Sequence, residues 1–160
     1  MRILGVDPGL NVTGYGLVEH RAGHSRLLEA GVIKPKKKDP FEKRLGKIYS
    51  ILKELIEQYQ PDVLVLEKLY THSVHPVTAS ILGHARGVIC LLCEHKNLKL
   101  SEQGVKRLRK GLIGNGNASK MQIKHAVSQM LNIDQDRLTL DASDALALAL
   151  GYVYLEKRLL

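Results

Sequence analysis

The segment from Asp62 to Glu67 constrains the fold more than any other part of this sequence. Four apolar residues, Val63-Leu64-Val65-Leu66, follow one another without alternation, and an acidic residue ends the run. A strand of that composition is apolar on both faces, so it belongs inside a parallel or mixed sheet with helices on both sides. At 160 residues and 44% apolar composition, the chain can bury the core of one such domain. We therefore predict a single α/β domain over residues 1–160, with a central mixed sheet flanked by helices.

The rest of the pattern supplies partners for this strand. An apolar run over 2–6 ends at the turn sequence Asp7-Pro8-Gly9, and a second run over 12–18 follows closely enough to form a hairpin with it. Apolar residues recur at helical spacing over 41–59, and Pro61 ends that helix. The other predicted elements are a third strand over 26–33, a short strand over 98–100, and helices over 77–95, 118–131 and 141–157.

Positive charge is concentrated in one stretch of the sequence. The formal charge of +8 favours a polyanionic partner, although excess charge can also serve solubility alone. Between Glu102 and Asp134 there is no acidic residue. The basic residues of this stretch, predicted to contact nucleic acid, are Lys106, Arg107, Arg109, Lys110, Lys120 and Lys124. A second basic segment, 34–40, is most simply an exposed loop, and DNA contact is the alternative for its lysines.

The sequence predicts a cytoplasmic protein without a membrane segment. The N-terminal apolar run meets Asp7 before it is long enough for a secretory signal, and we expect no apolar run to span a bilayer. Cys90 and Cys93 have no second cysteine pair to complete a zinc site and no neighbouring helix start to activate a thiol. We interpret both as helix residues buried in a reducing compartment.

Four acidic residues form the candidate site. Asp7 and Glu67 each end an apolar strand, and if those strands are adjacent and parallel, both side chains emerge at the same edge of the sheet. Asp141 and Asp144 lie three apart in the last predicted helix, hence on one face, and can point to that edge. Four clustered carboxylates repel one another without cations. The cluster therefore predicts an all-oxygen site for two Mg²⁺ ions and hydrolysis of phosphodiesters.

Each acid taken singly also has an ordinary explanation. Asp7 before Pro-Gly suits a turn, Asp141 could cap the last helix, and Asp144 would complement the helix dipole. Glu67 is harder to explain in this way, because it follows four apolar residues and ends at or near the interior. The predicted metal site depends on the convergence of all four.

Lys120 and Tyr70 are further candidates. Lys120 is predicted in the first turn of a helix, where a cation opposes the helix dipole, so it is a candidate to hold the scissile phosphate or orient the attacking water. A solvated lysine is the alternative. Tyr70 follows Glu67 by three residues in a loop and could stack on a base, although a half-buried tyrosine is the commoner outcome.

Two sets of small residues predict close approach of other backbones. Gly14 and Gly16 alternate along one face of the second strand and leave room for a close neighbour. Ala79, Gly83 and Gly87 stand four apart on one predicted helix. Internal packing explains this second stripe about as well as a two-fold partner helix does, and we predict a homodimer through it.

Ordered motifs run along nearly the whole chain. They are Gly5-Val6-Asp7-Pro8-Gly9 with Thr13-Gly14-Tyr15-Gly16, Gln60-Pro61-Asp62 leading to Glu67, Leu82-Gly83-His84-Ala85-Arg86-Gly87, Val105-Lys106, Gly114-Asn115-Gly116-Asn117-Ala118-Ser119-Lys120-Met121-Gln122, and Asp141-Ala142-Ser143-Asp144-Ala145-Leu146-Ala147. Through these motifs, in this order and at this spacing, the chain resembles the RuvC family of bacterial Holliday-junction resolvases, which have a ribonuclease H-like fold.

The resemblance implies an activity, a cofactor and partners. It implies a homodimer whose two sites nick opposed strands of a four-way DNA junction during recombination and repair, with Mg²⁺ or Mn²⁺. It implies work beside the branch-migration proteins RuvA and RuvB, and Tyr70 falls where the family has an aromatic wedge. The catalytic residues that it implies are the metal-binding acids Asp7, Glu67, Asp141 and Asp144, together with Lys120.

Two departures from the family pattern concern how a junction would be opened. His84 stands where glutamine is usual, and the segment 71–76 differs from the commoner loop. Two other functions remain as alternatives. One is an RNA-processing nuclease on the same fold, and the other is a non-catalytic junction-binding protein, which the complete set of acids disfavours.

Overall fold

A mixed sheet of five strands forms the centre of the computed structural model, which describes residues 1–68 and 75–156. The strands are β1 (Arg2–Asp7), β2 (Thr13–Arg21), β3 (His24–Ile33), β4 (Val63–Glu67) and β5 (Lys99–Gln103). Their order is β3-β2-β1-β4-β5; β1 pairs antiparallel with β2 and parallel with β4, and β4 pairs parallel with β5. The predicted mixed sheet is therefore confirmed.

Helices cover both faces of this sheet. They are α1 (Phe41–Tyr59), α2 (Pro76–His95), α3 (Val105–Ile113), α4 (Lys120–Leu131) and α5 (Leu140–Glu156). Leu64 and Leu66 of β4 pack into the core under α1 and α2, whereas Val63 and Val65 pack into the core under α3, α4 and α5. Successive residues of one strand thus serve two separate cores, which explains why the run is apolar without alternation.

Helix α3 was absent from the sequence prediction. It is short and amphipathic, and Leu108 and Leu112 are its buried residues. Two apolar residues one turn apart are too brief a pattern to separate a helix from a loop, particularly between basic residues. The structure adds this helix to the predicted elements and turns the basic stretch into an ordered surface.

The last helix begins one residue before its predicted start. Thr139 Oγ1 accepts a hydrogen bond from the backbone N–H of Ala142 at 3.2 Å, and α5 starts at Leu140. Asp141 therefore lies within the first turn and is not the capping residue, so that interpretation of Asp141 is wrong.

By length and composition, α2 could cross a membrane, and among the described residues it is the one helix that meets both criteria. The expectation that no apolar run is long enough is therefore wrong on these criteria. The inner face of α2 packs into the core through Ala85, Ile89 and Leu92. Its Arg86 forms an ion pair with Glu102 of β5. Through these contacts, α2 packs as one of the helices that cover the sheet.

Glycines in β1 and β2 allow α5 to lie directly on the sheet. Gly5 and Gly16 face each other across the two strands. A side chain at Gly5 would collide with the backbone of Ala145, and one at Gly14 would collide with the carbonyl oxygen of Asp141. The close neighbour predicted for the glycines of β2 is therefore the acid-bearing end of α5.

Candidate active site

A cavity of about 240 Å³ lies at the carboxyl ends of β1 and β4. Three acidic residues and two basic residues line it, together with apolar residues of α3, α4 and α5. The charged residues are Asp7, Glu67, Asp144, Arg109 and Lys120. The open sheet thus places opposite charges in one depression, where sheets of this type bind ligands.

Parallel pairing brings Asp7 and Glu67 together. Val6 of β1 lies opposite Leu66 of β4, so the next residue of each strand is an acid at the same edge. Both carboxyl groups line the cavity. The predicted adjacency of these strands and of their terminal acids is confirmed.

The two acids of α5 occupy different places. Asp144 lines the cavity, and 16% of its side chain is exposed. Asp141 is half-buried and lies against Gly14, but it is not among the described residues that line the cavity. Since Gly14 lies opposite Asp7 across β1 and β2, Asp141 remains beside the site. We expected Asp141 and Asp144 both to point to the sheet edge that carries Asp7 and Glu67, and among the described residues only Asp144 lines the cavity there.

Lys120 enters the cavity from the first residue of α4. Ser119 caps this helix: its Oγ accepts from the backbone N–H of Gln122, and the Gln122 side chain accepts from the backbone N–H of Ser119. Lys120 Nζ lies 2.5 Å from Asp144 Oδ2. This hydrogen bond raises the pKa of Lys120, so the ammonium stays charged. The partner that offsets the unfavourable helix position is thus an acid on another helix.

Two arginines act on Glu67. Arg86 of α2 donates from Nη1 to the backbone carbonyl of Glu67 at 2.5 Å, which fixes the end of β4. Arg109 of α3 donates to the carbonyl of Ala118 at 3.0 Å and lies in the cavity. Burial raises the pKa of Glu67, while the charge of Arg109 opposes that rise. The sequence pattern marked Arg109 only as one basic residue among several, and its inward position follows from the unpredicted helix α3.

Asp7 is the most perturbed acid of the site. Burial, then the negative charges of Asp144 and Glu67, raise its pKa from 3.8 to about 7. Lys120 opposes the rise, and Asp141 adds slightly to it. A carboxyl group in this position is costly to ionise without additional positive charge.

Oxygen donors of this kind suit a hard divalent cation. Carboxylates are the preferred ligands of Mg²⁺, and a bound cation would offset both the burial and the acid repulsion that raise the Asp7 pKa. Across residues 1–68 and 75–156, however, no three acidic, histidine or cysteine side chains are gathered tightly enough to form a complete metal cluster. The acids share a cavity, and Lys120 holds one oxygen of Asp144. The chemistry of these oxygen donors fits the predicted metal, although the described carboxylates are not gathered around one point.

Four other predicted DNA-binding residues lie on α3 and α4, the helices that contribute side chains to this cavity. Lys106, Arg107 and Lys110 of α3 are exposed, and Lys124 of α4 is half-buried. Within the described parts of the chain, none of these four forms an ion pair. Tyr70 lies outside the described residues. His84 is exposed on α2, where its ring meets the ring of Phe41 edge-on, with 5.1 Å between centroids.

A family model and the similar proteins of known name all indicate the same family. The family model described as "Crossover junction endodeoxyribonuclease RuvC" matches residues 3–152. A protein of that name from Rhodopirellula baltica is 40% identical over 153 residues, which cover 96% of this chain and 86% of that protein.

Solved structures show the same fold. Thermus thermophilus RuvC matches with a TM-score of 0.88 at 24% identity, covering 99% of this chain and 96% of that chain. T. thermophilus RuvC in complex with Holliday junction substrate matches with a TM-score of 0.88 at 21% identity, over the same shares of the two chains. The predicted ribonuclease H-like fold is confirmed. By sequence over almost its whole length, this chain belongs to the RuvC family of crossover junction endodeoxyribonucleases, which are metal-dependent nucleases.

Proposed function

We propose that this chain is a single-domain endonuclease that resolves four-way DNA junctions by paired, symmetric nicks in recombination and repair. The observation that carries the proposal is the cavity in which three carboxylates meet a lysine and an arginine, in a chain of this family. Acidic residues can hold cations, and basic residues can bind phosphate oxygens. A phosphodiester is the substrate that uses both kinds of group.

Two Mg²⁺ ions per site, with Mn²⁺ as a substitute, are the proposed cofactors. The residues that would hold them are Asp7, Glu67, Asp141 and Asp144. When bound, such ions lower the pKa of a water molecule and offset the charge on the leaving oxygen. The supporting observation is the raised pKa of Asp7, which is caused by burial and then by the negative charges of Asp144 and Glu67.

Lys120 and Arg109 are the proposed phosphate-binding residues of the cavity. The Lys120 ammonium uses one of its three N–H donors on Asp144, and the others can reach a phosphate oxygen or the attacking water. Arg109 uses one donor on the carbonyl of Ala118, which orients the guanidinium and leaves its other donors for the substrate. Both cations would therefore position the phosphodiester against the acids.

Two coordinated cuts require two copies of the site. We propose a homodimer formed through α2, on which Gly83 and Gly87 are exposed beside Leu91, whose exposure is 52%. A two-fold dimer presents two identical sites, and a four-way junction presents two equivalent strands. Tyr70 as a wedge at the branch point, RuvA and RuvB as partners, and the cytoplasm as the compartment belong to the same proposal.

A side-by-side cleavage assay tests this function. Three substrates carry end labels: a synthetic four-way DNA junction, a matched linear duplex and a single-stranded RNA. A fourth reaction contains the junction without metal. With Mg²⁺, paired symmetric nicks should appear in the junction only. Preferential cutting of RNA would favour an RNA-processing nuclease, and tight junction binding without product would favour a non-catalytic binding protein. Asp144→Asn, which removes a proposed metal ligand, should bind the junction and leave it intact.

A further inference from the structure

A second basic surface lies on the other side of the acidic cavity from α3 and α4. Residues 34–47 contain seven basic and two acidic residues. Its exposed members, which we call the lysine surface, are Lys34, Lys36, Lys37, Lys38, Lys43 and Lys47. Four of them lie in the connection between β3 and α1, and two lie on the first turns of α1.

The connection that carries these lysines is held against α1. Pro35 is buried, and the backbone N–H of Asp39 donates to the carbonyl of Lys36 at 3.0 Å, which closes a turn around the three consecutive lysines. Lys47 Nζ reaches back to the carbonyl of Lys34 at 3.2 Å. The lysines therefore share one defined surface, instead of being spread along a free loop.

The two acids of the segment offset only part of the charge of this surface. Over the residues that the structure describes, none of its six lysines forms an ion pair. Lysines elsewhere in the protein do find acids: Lys53 lies 3.9 Å and Lys96 lies 2.5 Å from Glu57 Oε1. The six lysines outnumber the two acids of the segment, Asp39 and Glu42, and a patch of net positive charge attracts a polyanion.

The sheet places this surface at the same edge as the acidic site. Strands β1 and β3 run in the same direction, because each is antiparallel to β2. Ile33, the last residue of β3, pairs with Thr13, the neighbour of Gly14, which pairs with Asp7. Two strand spacings of about 4.8 Å separate β1 from β3, so the connection leaves the sheet about 10 Å from the Asp7 strand.

Arg44 links the start of α1 to the loop after Asp7. Its Nη2 donates to Asn11 Oδ1 at 2.6 Å and to the carbonyl of Leu10 at 3.2 Å. Helix α1 covers one face of the sheet, and α3 and α4 cover the other. The acidic cavity thus lies between two basic surfaces that belong to opposite faces.

We propose that the lysine surface binds the phosphate backbone of a second duplex arm of the junction, while the basic residues of α3 and α4 hold the arm that is cut. This inference rests on the proposed function. A linear duplex bound along α3 and α4 leaves the α1 face empty, whereas a branched substrate continues past the site in another direction. Lysine ammonium groups suit such contacts, because they bind phosphates as point charges without reading sequence.

Two charge-matched triple variants test the surface. Lys36→Ala, Lys37→Ala and Lys38→Ala together remove three charges from the proposed surface. The control, Arg21→Ala with Lys53→Ala and Lys96→Ala, removes three charges remote from that sheet edge. Equal loss of net charge makes long-range attraction comparable. Binding is measured in EDTA, between 50 and 200 mM salt, with a four-way junction and with a linear duplex of matched sequence.

For the junction, the variant that lacks Lys36, Lys37 and Lys38 should have a less steep dependence of log affinity on log salt. The magnitude of the slope should fall by about 2.7, at roughly 0.9 per lost phosphate contact. The control should keep the wild-type slope, and the linear duplex should show a change of less than about 0.9 with either protein. Equal junction slopes for the two variants, or an equal fall on the linear duplex, would overturn the second-arm contact.

Cleavage by the unmodified protein separates this inference from the proposed function. If the unmodified protein cuts junctions and the variant that lacks Lys36, Lys37 and Lys38 keeps the wild-type salt slope, only the proposed role of the lysine surface is overturned. Unmodified protein that binds junctions without cutting them, combined with the predicted fall in slope, would overturn the nuclease and support the surface.

Discussion

The contact of α5 with the sheet and the outer face of α2 both depend on glycine, but only the first contact is filled within the chain. At Gly14 an added side chain would meet the Asp141 backbone. At Gly83 and Gly87 it would meet no atom of the described residues within 4 Å. The same residue type therefore closes one surface and leaves another flat and open.

The contact of α5 with the sheet arranges the site within one chain. The open face of α2 can instead pack against a second copy of the chain, which would bring a second site. The glycines of β1 and β2 bring α5 close enough to put Asp144 in the cavity with Asp7. The glycines of α2 leave a smooth exposed face on a helix whose Arg86 touches the end of β4. Substituting glycines from the two groups should consequently affect different properties.

The largest effect is expected from Gly14→Ala. The new methyl group would occupy the position of the Asp141 carbonyl oxygen, so α5 must move away from β2 and carry Asp141 and Asp144 with it. Overpacking of this kind costs about 1–3 kcal/mol of unfolding free energy. We expect junction cleavage to fall by about 100-fold, because misplacement of reacting groups by about 1 Å costs that much. Single-turnover cleavage and urea unfolding measure the two effects.

Gly46→Ala is the matched control for this change. Gly46 is exposed on α1, where an added methyl group meets nothing within 4 Å in the part of the chain that the structure describes. Replacing an exposed helical glycine by alanine should stabilise the protein by about 1 kcal/mol and leave cleavage unchanged. If Gly14→Ala cut junctions at the rate of Gly46→Ala, the close contact of α5 would have no part in arranging the site.

A smaller effect is expected from Asp7→Asn in metal-free protein. Burial, and then the negative charges of Asp144 on the closely packed α5 and of Glu67 on β4, raise the pKa of Asp7 from 3.8 to about 7. The folded state therefore binds the proton more tightly than the unfolded state, and its stability falls as pH rises from about 4 to 7. At pH 8 in EDTA, Asp7→Asn should raise the free energy of unfolding by about 2 kcal/mol, a discounted value for a shift of this size.

Urea unfolding at pH 4.5 and pH 8 measures the Asp7 effect. The difference between wild type and Asp7→Asn should be small at pH 4.5 and large at pH 8. Added Mg²⁺ should restore wild-type stability at pH 8 more than that of the variant. A difference that is the same at both pH values would show that the cost of ionising Asp7 is not its cause.

Long periodic segments explain why much of the fold was predictable. The continuous run of β4 and the helical spacing over 41–59 each reflect burial, which sequence records directly. The proximity of Asp7 and Glu67 could be predicted from one topological rule, that adjacent parallel strands end at the same edge of the sheet. That rule requires only the pairing of β1 with β4.

Features that depend on one turn of helix were not predictable. Asp141 and Asp144 are three apart, yet only Asp144 lines the cavity, while Asp141 lies against Gly14. Arg109 has the same local composition as its basic neighbours, and only its place on α3, one residue after the buried Leu108, turns it into the cavity. Spacing and charge do not contain such orientations.

The smallest effect is expected from Gly83→Leu, which tests the open side of the comparison. Within one chain the position has free space, so leucine should not harm folding, and its better helix propensity should stabilise α2 by about 0.8 kcal/mol. In a dimer packed through the α2 stripe, the same leucine would hold two helices apart and weaken association by about 10-fold or more. Sedimentation equilibrium measures association, and Gly46→Leu provides the same chemical change on α1. Weaker dimers with Gly83→Leu alone, together with slower paired nicking, would connect the open glycine face to duplication of the site. A dimer equally strong in both variants would place the two-fold contact elsewhere on the protein.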